Sequence, residues 1–152
     1  MVTDFFGAIL QEIGTQLQIP NLHPDEHNTC LIKFKGGIVI QIEMDQAGEY
    51  VIVGTEFADI PVGRYRENLF AEALKANGMP APRYGVFAYS QKKDHLSLFE
   101  MFPSRDVTGI QIADYLGPFL EKVRIWKEAI SRGDMPAIAP TVGRAPGLFG
   151  LK

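Results

Sequence analysis

The stretch TCLIKFKGGIVIQIEMDQAGEYVIVGTEF, residues 29–57, reads as three antiparallel strands in immediate succession, joined by turns too short to hold anything else. Within Ile38-Val39-Ile40-Gln41-Ile42-Glu43-Met44-Asp45 the even positions are apolar and the later odd ones polar, which is the period of a half-buried strand. Cys30 to Lys35 alternates in the same way. A two-residue Gly36-Gly37 turn would set Phe34 opposite Val39 and Ile32 opposite Gln41, mixing apolar and polar residues on both faces. A three-residue loop, Lys35 to Gly37, places Phe34 opposite Ile38, Ile32 opposite Ile40 and Cys30 opposite Ile42. Gly37 then takes the left-handed conformation that such loops need.

With a four-residue loop at Asp45 to Gly48, the third strand, Glu49 to Phe57, adds Val51 and Val53 to this apolar face. Tyr50 and Ile52 then point the other way, beside Leu31. A sheet with helices on one face should be polar on its other face. Apolar side chains there imply a second cover, from another subunit or a bound chain.

A chain of 152 residues suits one domain able to bury a core without disulfides or metals. Its single cysteine, Cys30, sits mid-strand on the apolar face and reads as core packing. The net charge of -3, with scattered basic residues, argues against a nucleic-acid footprint or an anionic-membrane patch. The N-terminus lacks the basic start and long apolar run of a secretory signal, and no segment is long and apolar enough to span a bilayer. The expectation is an acidic, soluble, cytoplasmic protein.

Thr3 is placed to cap a first helix whose stripe is Phe5, Phe6, Ile9, Leu10, Ile13 and Leu17, with Pro20 ending it. His23-Pro24-Asp25-Glu26-His27 lies in a turn-rich loop, without the helical His-Glu-x-x-His geometry that aims two imidazoles at one zinc, and no metal is expected. A second helix, Arg64 to Asn77, carries Tyr65, Leu69, Phe70, Ala73 and Leu74, and Gly78 is free to end it in the left-handed conformation. Strands follow at Arg83 to Ser90 and His95 to Phe102, apolar on both faces, and His95 marks a strand start without a nucleophile to serve as base. Thr108-Gly109-Ile110-Gln111 has the capping-box spacing for a third helix reaching Ser131, which Gly117-Pro118 should bend or divide. Residues 132–152 form a Gly/Pro-rich tail beyond a single domain at residues 1–131. The tail reads as mobile, with Leu148-Phe149 suited to dock on a groove of the same or a partner molecule.

The fold class is therefore α+β, an antiparallel twisted sheet in the order helix-strand-strand-strand-helix-strand-strand-helix. No phosphate-cradling loop, dinucleotide fingerprint, Cys-x-x-Cys pair or nucleophile elbow occurs. That shifts the weight from catalysis, and from any cofactor, toward binding.

In this element order the chain resembles the class I type III secretion chaperones of the Tir-chaperone family. The resemblance rests on the first helix running into Gln18-Ile19-Pro20, on Asn28-Thr29-Cys30-Leu31, on Ile40-Gln41-Ile42-Glu43-Met44-Asp45, on Leu74-Lys75-Ala76-Asn77 and on Phe119-Leu120-Glu121-Lys122-Val123-Arg124-Ile125-Trp126. It spans residues 3 to 131. It implies a bacterial cytoplasmic homodimer, not an enzyme, that holds the N-terminal segment of a secreted effector extended and presents it to the secretion apparatus, with the secretion ATPase as a further partner. It places subunit pairing on Leu69, Phe70, Ala73, Leu74, Val86 and Phe87. Effector contacts fall on Phe5, Phe6, Ile9, Leu31, Tyr50 and Ile52. Met79-Pro80-Ala81-Pro82 and the Gly/Pro-rich tail depart from the family pattern. Two other roles fit the residues: a general protein-interaction or regulatory module on the same fold, and a small-ligand binder or enzyme using the second sheet face as a pocket.

Overall fold

The computed structural model describes residues 2–137, with side chains from Phe5 onward. Its elements are α1 (Val2–Leu17), β1 (Thr29–Phe34), β2 (Ile38–Met44), β3 (Tyr50–Glu56), α2 (Arg64–Asn77), β4 (Val86–Ser90), β5 (His95–Pro103) and α3 (Gly109–Arg132), with one 3-10 turn at Lys35–Gly37. The five strands form one antiparallel sheet in the order β1-β2-β3-β5-β4.

The β1–β2 hairpin has the register that the apolar pattern demands, with Cys30 opposite Ile42, Ile32 opposite Ile40 and Phe34 opposite Ile38. Both glycines of its loop, Gly36 at φ 81° and Gly37 at φ 74°, take the left-handed conformation expected of Gly37 alone. Val51 and Val53 pair with Met44 and Ile42 and are fully buried. The covered face of the sheet thus presents a continuous apolar field, onto which α1 and α3 lay Phe6, Leu10, Ile13, Ile112, Leu116, Phe119 and Val123. Trp126 of α3 stacks on Phe87 of β4 with ring centroids 4.1 Å apart. Cys30 lies in this core, and burial pushes its thiol pKa up.

The helix ends depart from the sequence reading in three places. Helix α1 already begins at Val2, so Thr3 lies within its first turn rather than capping it. It ends at Leu17, three residues before Pro20, because Gln18 turns left-handed at φ 59° and Ile19 N–H returns to the Gly14 carbonyl at 2.8 Å. Gly78 ends α2 in the right-handed region, at φ -84° and ψ -4°, with its N–H donating to the Leu74 and Lys75 carbonyls. Helix α3 runs through Pro118 as one element. The ring there removes a single backbone donor, and the packing of Leu116, Phe119 and Val123 on either side carries the helix across.

The capping box at Thr108 forms in full, with Thr108 Oγ1 accepting from Gln111 N–H and Gln111 Oε1 accepting from Thr108 N–H. Strand β4 starts at Val86 rather than Arg83, since Tyr84 and Gly85 are both at positive φ. Beyond Arg132, Gly133 takes the left-handed cap conformation, Asp134 N–H donates to Ala129 O at 2.9 Å, and Tyr65 Oη donates to Asp134 O at 2.8 Å. Pro136 is buried. Ile138, Val142 and the Leu148-Phe149 pair lie outside the described residues.

Candidate functional site

The face of the sheet turned away from α1 and α3 carries one row that crosses all five strands: Leu31, Gln41, Gly54, Phe99 and Val86. A second row runs Thr29, Glu43, Ile52, Met101. Leu31 is 59 % exposed, Met101 41 % and Val39 39 %, and Ile52, Phe99 and Val86 are half-buried. This is more apolar surface than a solvated sheet face carries. Gly54 leaves a dent in the middle of the row, because a Cβ there would stand 3.3 Å from that of Phe99.

The β2–β3 ladder stops at Gln41–Gly54, whereas β3 goes on pairing with β5 to Glu56. Past that point Thr55 Oγ1 donates to Val39 O at 2.8 Å, a side chain standing in for the missing ladder bond. The parting strands enclose a hollow of ≈ 800 Å³, reached by Leu31, Val39 and Phe99 from one side of the sheet and floored by Val123 and Ile130 of α3. Lys127 Nζ closes its end by donating to the Gly36 and Gly37 carbonyls at 2.9 and 2.8 Å.

The two sheet edges differ. At β4, Asn77 acts as a surrogate strand: its Oδ1 accepts from Phe87 N–H at 2.8 Å and its Nδ2 donates to Phe87 O at 3.0 Å. At β1, Asp25 ties down Thr29 in the same manner, Oδ1 accepting from Thr29 N–H and Asp25 N–H donating to Thr29 O. The acidic loop between His23 and His27 is therefore occupied with closing a strand. Further along β1, alternation points the main-chain groups of Leu31 and Lys33 outward, with no partner among the described residues. Asn77→Ala strands a half-buried N–H and C=O of Phe87. A loss of about 2 kcal/mol is expected, measured by urea unfolding at an unchanged slope.

The residues expected to meet partners divide by burial. Phe5, Leu31 and Tyr50 are exposed and Ile52 is half-buried, whereas Phe6 and Ile9 are packed in the chain's own core. On α2, Leu74 is 71 % exposed and Phe70 half-buried, but Leu69 and Ala73 are buried against the domain. Val86 is half-buried and Phe87 is buried under Trp126. An amphipathic stripe does not say which of its residues meet the chain's own sheet, so the sequence grouped buried and exposed members together. Phe99, Met101 and Val39 were missed; for β5 the signal was the pair Phe99 and Met101 on the opposite phase to Leu96 and Leu98, which needed only the β3–β5 register to place it.

Three polar arrangements flank these surfaces. Arg66 donates to Asp94 through Nη2 at 2.7 Å and Nη1 at 3.4 Å, lies 5.0 Å above the Phe70 ring and 5.1 Å above that of Tyr89, and keeps the Asp94 carboxyl below the usual range. His95 Nε2 meets Asp59 Oδ1 at 2.6 Å, with Glu56 3.9 Å from Nδ1, so two carboxylates unseen in sequence stand beside it. Ser90, the cross-strand neighbour of His95, has its hydroxyl oxygen on Lys93 N–H at 3.3 Å, and among the described residues no grouping of His, Cys, Asp and Glu could hold a metal ion.

Lys122 donates to Arg83 O at 2.7 Å and stands 5.0 Å above the Phe87 ring, and burial pulls its pKa down to about 8. Because the folded value lies below that of the unfolded chain, charging Lys122 opposes folding below about 8, and stability rises as pH climbs from there toward the ordinary lysine range. In a carbon-detected NMR titration the Lys122 Cε resonance should move near pH 8, well below the ordinary lysine range. A midpoint in the ordinary lysine range would contradict the burial argument.

No helix among the described residues is long and apolar enough to cross a membrane. Among curated proteins none matches the sequence. Solved structures do match the fold. A chain in the HopA1–SchA chaperone–effector complex superposes with TM-score 0.67 at 18 % identity, over 82 % of this chain and 94 % of that one. A chain in the complex of the Yersinia pestis type III secretion chaperone SycH with a stable fragment of YscM2 gives 0.61 at 19 % identity, over 78 % and 97 %. The ExsC–ExsE complex gives 0.64 at 13 %, over 84 % and 95 %. The family model described as the Tir chaperone protein (CesT) family matches residues 8–127, from within α1 to the Trp126 turn of α3. The chain belongs to the Tir chaperone protein (CesT) family.

Proposed function

We propose that the protein is a type III secretion chaperone that holds the N-terminal segment of a secreted effector in extended form, as a homodimer. The observation that carries this reading is the uncovered sheet face, with Leu31, Val39, Tyr50, Ile52, Phe99 and Met101 half-buried or exposed beside the open edge of β1. An extended guest can take main-chain hydrogen bonds from Leu31 and Lys33 while alternate side chains settle against the two rows. Phe5, exposed on α1 at the other side of the sheet, is assigned to a further stretch of the guest, with Phe6 and Ile9 in the core beneath it. Wrapping keeps the guest segment from folding on itself, which needs no chemistry and no cofactor. Several of the matched structures are themselves chaperones solved with a bound partner, which supports the same use here. A cytoplasmic site of action and delivery to the secretion ATPase follow from the same reading.

The second copy is assigned to the outward face of α2, where Leu74 and Phe70 lie beside the Arg66–Asp94–Tyr89 cluster. Leu69, Ala73 and Phe87 shape that face from below. Light scattering should return twice the chain mass of 16.9 kDa, and Leu74→Glu should return the single mass.

Purification from the native bacterium, limited proteolysis and sequencing of the protected fragment test the function. The expected fragment is one contiguous segment near the N-terminus of a secreted protein. Recovery of a folded partner with no protected extended segment would overturn the reading in favour of a general interaction module.

A further inference from the structure

The hollow between β2 and β3 lies beside the point where α3 ends, since Ile130 and Ser131 of its last turn line it. The chain does not leave there as a free end. Gly133 turns it back, Tyr65 holds Asp134, and Pro136 is buried, so the remaining fifteen residues, 138–152, start from a fixed place on the domain. From there to Leu148 is roughly ten residues, a reach of roughly 33 Å when extended. Helix α3 itself is about 36 Å long, so the hollow is well within range.

The segment also matches the hollow in character. It carries Arg144 and Lys152 and no acidic residue, with Ile138, Val142, Leu148, Phe149 and Leu151 as its apolar side chains. The rim carries Glu43, Glu56 and Asp59; of its two lysines, Lys127 is spent on the Gly36 and Gly37 carbonyls and Lys93 lies 3.4 Å from Glu56. The apolar side chains that solvent reaches are Leu31, Val39 and Phe99 at its mouth and Ile130 at its floor, with Leu98, Phe57 and Val123 buried behind them. A hollow of ≈ 800 Å³ falls in the size range of sites that take a compact apolar ligand.

We propose that residues 138–152 fold back within the same chain and seat Leu148-Phe149 in the hollow between β2 and β3, where they act as a placeholder that a guest segment must displace. The docking stands on chain position, apolar lining and charge; the displacement rests on the guest-binding reading above. Leu31, Val39, Gln41 and Phe99 belong both to the hollow and to the open face, so tail and guest compete for the same side chains.

Photo-crosslinking in the full chain separates the two parts. With p-benzoylphenylalanine replacing Phe149 and no guest present, irradiation should give intramolecular crosslinks to Val39, Thr55 or Phe99, lost in Val39→Asp, whose site is already partly solvent-exposed. In the otherwise unaltered chain, Leu148→Asp with Phe149→Asp should speed amide exchange at Val39 and Glu56. Crosslinks to a second copy, crosslinks scattered over the surface, or none with exchange unchanged would overturn the docking. Adding the protected guest fragment should abolish the crosslink. A crosslink that persists in the guest complex would overturn the placeholder role while leaving guest binding intact.

Discussion

Leu31→Lys should weaken binding of the protected guest fragment by about 50-fold while leaving the unfolding free energy within about 0.5 kcal/mol of the parent. Leu31 lies on edge strand β1 with 59 % of its surface in water, so its replacement removes little from the core. Lysine is a residue that natural edge strands tolerate well. In the complex the same position lies under the guest. Burying a leucine contributes about 2 kcal/mol, and an ammonium in its place must either lose water or push the guest away. Adding Met101→Lys from the second row should bring binding below detection by titration calorimetry. A Leu31→Lys chain that binds with parental affinity would place the guest elsewhere.

Gly109→Ala should cost about 3 kcal/mol, which for a domain of this size lowers the melting temperature by roughly 10 °C. Gly109 opens α3 at the point where α3 crosses α1. A Cβ there would stand 2.5 Å from the Ile9 carbonyl oxygen and 2.5 Å from Glu12 Cβ, contacts that no rotamer change relieves because one is backbone. The helices would have to separate, and Glu12 Oε1 would lose the Gly109 N–H that it holds at 2.9 Å. Gly117, with open space around the corresponding position on the same helix, should accept alanine without loss, and a thermal melt of both variants checks the contrast.

The contrast also shows where the sequence stops informing. Periodicity alone set the β1–β2 register, because slipping Phe34 from Ile38 to Val39 would turn every side chain of the strand over. The capping box at Thr108 was equally plain, since its partners sit three residues apart. Gly109 read only as part of that motif. Its second duty, to let α1 come close, depends on Glu12, almost a hundred positions away in the chain. The same holds for Asn77 on Phe87 and for Asp59 on His95, where a side chain meets a distant backbone or ring with no periodic trace. The parting of β2 from β3 is hidden for another reason: Val39 and Thr55 still alternate as strand residues should, and only the loss of pairing after Gln41–Gly54 opens the hollow. For the site, the sequence revealed that the second face was apolar and named Leu31, Tyr50 and Ile52 on it. It could not separate Phe5 from Phe6, or Leu74 from Leu69, because neighbours on a wide helical stripe differ only in what the fold lays over them.

Hydroxyl-radical footprinting of the purified complex against the free chain tests the central claim most directly. Leu31, Tyr50, Phe99 and Met101 should each lose reactivity when the guest fragment is bound, and Leu74 should be protected in both samples by the second copy. If the four sheet residues react equally with and without guest, while protection appears on the solvated side of α3 instead, the open face is not where this protein holds its partner.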